Sequence, residues 1–323
     1  MNYGYFDEKN REYVITRPDT PAPWCNYLGS PEYGAIISNN AGGYSFVKSG
    51  ANGRILRYHF NSDDTPGRYI YIRDDETADF WSASWQPVGK PLDEYKSVCH
   101  HGTAYTRLEA DYADIHSEVT YYVPLNKTYE VWRTKVTNTS DKVRNLSLFG
   151  FIEFTNENNY EQDQVNLQYT LFITRTSFEG NKIVQHINEN SGKDANGSNW
   201  RERFFGVAGA RVSAYNGNLD SFIGPYRTYG DPIAVERGFC DNKCNYNGNA
   251  CGALQSEIML DPGETAEIIY VLGQKNPTEA DAILAAYEEP GKCDAEIKEL
   301  VDYWHGQLNN FQVTTPSEEF NNM

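Results

Sequence analysis

The sequence predicts a mainly β protein: a large antiparallel sandwich over residues 1–274, followed by a short helical segment over 275–311. Three observations carry this reading. Long runs alternate apolar and polar residues at period two, the signature of strands with one face buried. Clusters of Gly, Asn, Asp and Pro separate those runs, with no helical pattern between them up to about residue 274. The character then changes at Lys275-Asn276-Pro277, where apolar spacing shifts from two to the helical period. Many long antiparallel strands without intervening helices imply two packed sheets.

In chain order, Ser38-Asn39-Asn40-Ala41-Gly42-Gly43 leads into the alternating run Tyr44-Ser45-Phe46-Val47-Lys48. Two glycines before a short alternating run read as a tight turn into a strand. They also permit close approach of a ligand, with Tyr44 as a stacking platform; burial of Tyr44 and Phe46 in the sandwich is the competing reading. Further strand signals lie at 68–73, 117–123, 167–175, 204–212 and 265–272. The clearest hairpin joins YEVWRTKVTN (129–138) to VRNLSLFGFIEF (143–154) through Thr139-Ser140-Asp141-Lys142. Beyond Pro277, Thr278 is predicted to cap a helix over 279–288, which Pro290-Gly291 ends. A second helix starts at Asp294 and carries Ile297, Leu300, Val301, Trp304 and Leu308 as one apolar stripe, which needs a surface to lie on.

The bulk numbers exclude some functions. A formal charge of −17, from 45 acidic against 28 basic residues, opposes nucleic acid and anionic membranes. The opening MNYGYFDEKNREYVITRP has no basic stretch followed by an apolar run, and no stretch approaches 18 apolar residues, so a cytoplasmic location is expected. In that setting the N-x-S/T sequences at Asn126, Asn138, Asn145 and Asn196 carry no meaning. Content of 24 Tyr, 15 Phe and 6 Trp suits twisted sheets and sugar-facing surfaces. Cys240, Cys244 and Cys251 cluster without a nearby His, so reduced structural thiols are expected rather than a metal site.

No phosphate-binding loop, dinucleotide fingerprint, zinc-helix motif or nucleophile elbow is present. His100-His101 reads either as a backbone-bonded pair at a sheet edge or as a proton donor or metal ligand. Trp81 and Trp85, and likewise Trp24 and Tyr27, read as core or as sugar-stacking rings. The carboxylate groups Asp63/Asp64, Asp74/Asp75 and Glu157/Glu161/Asp163 read as solvated loops, since adjacency in sequence cannot set the separation that glycoside chemistry needs.

Several stretches resemble glycoside hydrolase family 94, the cellobiose, cellodextrin and N,N'-diacetylchitobiose phosphorylases. These are YGYFDEKNREYVITRPDTPAPWCNYLGS (3–30), AGGYSF (41–46), GRYIYIRDD (67–75), WSASWQPV (81–88), HHGTAYT (100–106), TNTSDKVRNLSLFGFIEF (137–154), DSFIGPYRTYGDPIAVERG (220–238) and DYWHGQLNNF (302–311). The resemblance covers essentially the whole chain, in order. It implies an N-terminal β-supersandwich of galactose mutarotase-like fold over 1–274, a helical linker over 275–311 and, at 312–323, the start of an (α/α)6 catalytic barrel. The implied reaction is inverting phosphorolysis of a β-glycoside to an α-sugar 1-phosphate. An aspartic acid protonates the leaving oxygen while inorganic phosphate, the co-substrate, attacks the opposite face; no further cofactor and no metal is implied.

By the same resemblance the catalytic aspartate lies beyond Met323, so this chain alone is expected to be inactive. The whole protein is expected to be a homodimer whose sandwich loops help close the sugar site. The implied substrate contacts are Tyr44, Val47, Gln168 and Tyr169. Val47 and Tyr169 stand where the cellobiose enzymes carry an aromatic residue and an arginine, which puts cellobiose itself in doubt. A β-linked glucose oligosaccharide is the leading expectation. The alternatives are a diacetylchitobiose-type enzyme, to which the WSASWQPV segment points, and a stand-alone carbohydrate-binding sandwich without catalysis. A sugar epimerase using His100 or His101 with Glu153 ranks below these.

Overall fold

A computed structural model describes residues 2–187 and 202–321; the Asn196 sequence lies outside the described residues. Every strand pair in its three sheets is antiparallel. A ten-stranded sheet runs, in spatial order, through Gly4–Asp7, Glu12–Ile15, Lys96–His101, Tyr105–Tyr112, Ile115–Tyr122, Tyr129–Asn138, Thr265–Gly273, Arg203–Ala208, Lys182–Ile187 and Thr174–Glu179. A five-stranded sheet holds Ala214–Asn218, Ala250–Leu260, Arg144–Glu153, Tyr69–Asp74 and Phe80–Ser82. A small third sheet is made by Cys25–Ser30, Tyr33–Ser38 and Gly43–Val47. No helix among the described residues is long and apolar enough to cross a membrane.

The period-two pattern explains which faces meet. Along Thr265–Gly273, Ile268, Tyr270 and Leu272 join the main core, with Trp132, Phe205, Leu148 and Ile72. Their neighbours Ile269 and Val271 point to the other face, with Tyr122, Tyr129, Val131 and Phe204. A run apolar at every position is what a strand covered on both sides requires. The cover on the outer face is helical.

That cover is the pair Pro277–Ala286 and Lys292–Leu308. Asn276, rather than Thr278, caps the first: its side chain accepts the Glu279 N–H at 2.9 Å, and Pro277 takes the first helical position, where no N–H is needed. In the second, Leu300 is buried and Ile297, Val301 and Trp304 pack half-buried against the sheet, while Leu308 is 49% exposed. The stripe therefore folds back on the sandwich without being fully buried. Buried Glu296 fixes the docking, accepting hydrogen bonds from Tyr122 (3.0 Å) and Tyr287 (2.7 Å) and pairing with Lys292 (3.2 Å).

Two expectations fail. Tyr129–Asn138 and Arg144–Glu153 form as strands but not as a hairpin: the first pairs with Ile115–Tyr122 and Thr265–Gly273, the second with Ala250–Leu260 and Tyr69–Asp74, so residues 139–142 carry the chain from one sheet to the other. Residues 167–175 are not a strand: helices Tyr160–Val165 and Leu167–Ile173 come first, and pairing with Lys182–Ile187 begins only at Thr174. Asn159 caps the first of these helices through the Gln162 N–H at 2.8 Å. Apolar residues of 167–173 gave the strand-like pattern, yet Leu167, Tyr169 and Phe172 are exposed.

Candidate functional site

The Gly-Gly hairpin belongs to the small sheet, where Ile37 pairs with Gly43 and Ile36 with Tyr44. Its turn is closed by side chains. The Ser38 hydroxyl accepts the N–H groups of Asn40 and Gly42 at 3.1 and 3.0 Å and donates to buried Asp64. Asp64 also accepts from the Tyr58 hydroxyl at 2.9 Å, and burial pushes its carboxyl above the usual range. A Cβ on Gly42 would sit 2.3 Å from the Asp64 carboxyl, and one on Gly43, at φ +106°, 2.2 Å from the Ile36 carbonyl. Both glycines therefore make room for the protein's own atoms.

Tyr44 emerges from this turn half-buried, and one face of its ring is taken: the Arg54 guanidinium lies 3.6 Å from its centroid. The same guanidinium lies 4.4 Å from the Tyr160 ring, and its Nε donates to the Gly50 carbonyl at 3.1 Å. Arg54 is 5% exposed and its Nη1 has no hydrogen-bond partner; the flanking π-faces are what it meets. Burial lowers its pKa. Phe60 completes the cluster, with ring centroids 4.9 Å from Tyr58, 5.8 Å from Tyr44 and 6.2 Å from Tyr160. Val47, three residues along the Tyr44 strand, is half-buried against the main core.

Gln168 and Tyr169 stand on the helix Leu167–Ile173, both exposed. Tyr160, at the start of the preceding helix, links that pair of helices to the hairpin cluster. Beneath it, Arg57 holds the segment from below. It forks onto Asp163 at 2.8 and 3.1 Å and binds Glu153 and Asn249 at 2.8 Å each. Glu153 also accepts from Tyr229, and Arg203 ties the Thr155 carbonyl (2.8 Å) to the Arg54 carbonyl (2.6 Å). The cluster and the helices thus rise from one buried polar network. Asp163, Asp64 and Asp74 are buried members of such networks, contrary to their reading as solvated loops.

Other sequence candidates resolve as structure. His100 bonds Glu12 at 2.8 Å. His101 meets the Thr106 hydroxyl at 3.0 Å and the Trp24 carbonyl at 2.9 Å, and burial lowers its pKa to about 4. Glu153 belongs to the five-stranded sheet and the histidines to the ten-stranded one, each with its own partners, so the epimerase pairing is not assembled. Trp81 is core; Trp85, at φ +66°, packs against it and donates its indole N–H to the Lys90 carbonyl at 2.8 Å. Trp24 packs between Tyr3 and Tyr13, whereas Tyr27 is exposed. Cys240 and Cys251 are buried, with burial raising both thiols, and Cys244 is half-buried. A shallow groove of about 340 Å³ lies elsewhere, lined by Phe178, Val212 and Tyr215 among others; its two rings stack on each other at 4.0 Å.

Arg54, Phe60 and Tyr160 were not legible as site residues. The run GRILRYHF (53–60) shows cations and aromatics, but nothing in it says that Tyr160, a hundred residues on, closes the stack.

Comparison with known proteins places this geometry. Residues 11–290 match the sequence profile of the glycosyl hydrolase 94 supersandwich domain. The N,N'-diacetylchitobiose phosphorylases of Vibrio proteolyticus and Vibrio furnissii are each 38% identical over 100% of this chain. The 3-O-beta-D-glucopyranosyl-beta-D-glucuronide phosphorylase of Paenibacillus borealis is 30% identical over 99% of it. The chain spans 40% of the length of the two Vibrio relatives and 39% of the third. With every strand of the sheets but the edge strand Gly4–Asp7, the Gly-Gly turn and the docked first helix inside the matched residues, the chain belongs to the glycosyl hydrolase 94 supersandwich family.

Proposed function

We propose that this chain is the supersandwich and helical-linker portion, over 1–274 and 275–311, of an inverting phosphorylase that cleaves an N-acetylglucosamine disaccharide of the diacetylchitobiose type. The observation that carries this reading is the 38% identity, over the whole chain, to two diacetylchitobiose phosphorylases. It favours that alternative over the cello-oligosaccharide substrate that led the sequence reading. The departures at Val47 and Tyr169 from the cellobiose pattern agree with it. In this reading phosphate attacks the anomeric carbon, the glycosidic oxygen leaves with a proton from an aspartic acid beyond Met323, and an α-sugar 1-phosphate results. The hairpin and the exposed helix bearing Gln168 and Tyr169 form a wall of that sugar site, completed in a homodimer. The work of this chain is to bind and orient sugar.

The test compares the 323-residue chain with the same chain extended to the length of its relatives. Each is incubated with phosphate and diacetylchitobiose, cellobiose or cellotriose, and sugar 1-phosphate is assayed. The extended protein is expected to turn over diacetylchitobiose, with the short chain silent. Preference for cellobiose or cellotriose would restore the glucose-oligosaccharide reading. Activity in the short chain would overturn the placement of the catalytic acid outside it.

A further inference from the structure

Phe60 stands in the exposed loop 59–63, bracketed by buried Tyr58 and Asp64 and closed by Asn61, which bonds Thr65 twice at 3.1 Å. Its φ is +53°, a backbone region that bulky residues rarely adopt, and its side chain is 59% exposed. Holding a non-glycine residue there strains the backbone, and leaving a Phe largely in water forgoes much of its burial. A loop that needed only to turn would be better served by Gly or Asn. The ring is nevertheless buttressed from behind. Tyr58 and Tyr160 meet it at interplanar angles of 77° and 75° and Tyr44 at 54°, and the Arg54 guanidinium lies over it at 6.0 Å, so among the described residues no ring stacks parallel on it. Arg54, clamped between Tyr44 and Tyr160, holds those two supports together. Exposed His59, Ser62 and Asp63 add polar groups to the same loop.

A buttressed aromatic face in a loop that also carries hydrogen-bonding groups fits a pyranose ring, whose axial C–H face is apolar and whose edge carries hydroxyls. We propose that Phe60 is a stacking platform for a sugar ring of the substrate, and that Arg54 is a positioning residue that sets the platform through Tyr44 and Tyr160. The proposal rests on the phosphorylase reading and adds a specificity element to it, outside Val47 and Tyr169.

The experiment uses the extended protein, with initial rates of diacetylchitobiose phosphorolysis. Phe60→Ala is expected to raise KM for the disaccharide about tenfold, with KM for phosphate unchanged, and Phe60→Trp to restore it to within about twofold. Arg54→Met should give a KM rise of the same kind, rescued by Arg54→Lys, which keeps the cation between the rings. A disaccharide KM in Phe60→Ala within about twofold of the parent, or an equal rise in both KM values, would overturn the platform. An Arg54→Lys variant no better than Arg54→Met would overturn the positioning role. A parent protein inactive on every β-linked disaccharide would instead sink the phosphorylase reading.

Discussion

At the scale of single residues, glycine identity and burial do the work. Gly43 combines φ +106° with a carbonyl 2.2 Å from where a Cβ would stand. Gly43→Ala is therefore expected to destabilise the protein by on the order of 3 kcal/mol, read as a lowered midpoint in urea unfolding. His101 gives a pH signature. Burial lowers its pKa from 6.5 to about 4, so the unfolded chain binds more protons between those values. Its contribution is present above pH 6.5 and falls away as pH drops towards 4, by about 3 kcal/mol in full. Urea midpoints measured from pH 7 to 4 should fall less steeply in His101→Gln than in the parent; identical slopes would show that His101 does not titrate this way.

At the scale of elements, the helices after residue 276 complete a layer. They cover a sheet face made by Tyr122, Tyr129, Val131, Phe204, Ile269 and Val271. All six are aromatic or branched aliphatic residues, and a Val, Ile or Phe is worth about 1.5–3 kcal/mol when fully buried. A chain ending at residue 274 is expected to expose that face, bind a hydrophobic dye and aggregate, whereas the 323-residue chain should do neither to the same extent. Equal dye binding by the two would mean that the helices add little. The helices Tyr160–Val165 and Leu167–Ile173 work in the opposite sense: anchored by Arg57 to Asp163, they keep Val165, Leu167, Tyr169 and Phe172 in solvent.

For the whole molecule, three antiparallel sheets and a helical layer make a scaffold whose polar network converges beneath one aromatic cluster. The chain covers 40% of the length of its Vibrio relatives, and the paired assay of the 323-residue chain and one extended to that length is the test at this scale. Tyr303 and Leu308 on the helix Lys292–Leu308, and Phe311 and Val313 after it, remain substantially exposed.

The sequence by itself determined the mainly β architecture, the strands at 129–138 and 144–153 and the shift to helix after residue 274, because periodicity reports which face of an element is buried; that those two strands join different sheets instead of pairing as a hairpin was decided by tertiary structure. It also determined the family, through motifs read in order along the chain. Tertiary structure alone decided that Asn276 caps the first linker helix, that 167–173 is helical and that Asp64 and Asp163 are buried. Those outcomes depend on partners distant in sequence: Arg57 for Asp163, Ser38 for Asp64, the end of strand pairing at Thr174. The arginine–aromatic stack is the sharpest instance. Tyr44, Arg54 and Tyr160 meet only because the third sheet and the helix Tyr160–Val165 are brought against one another, and no local pattern encodes a contact that the fold itself creates.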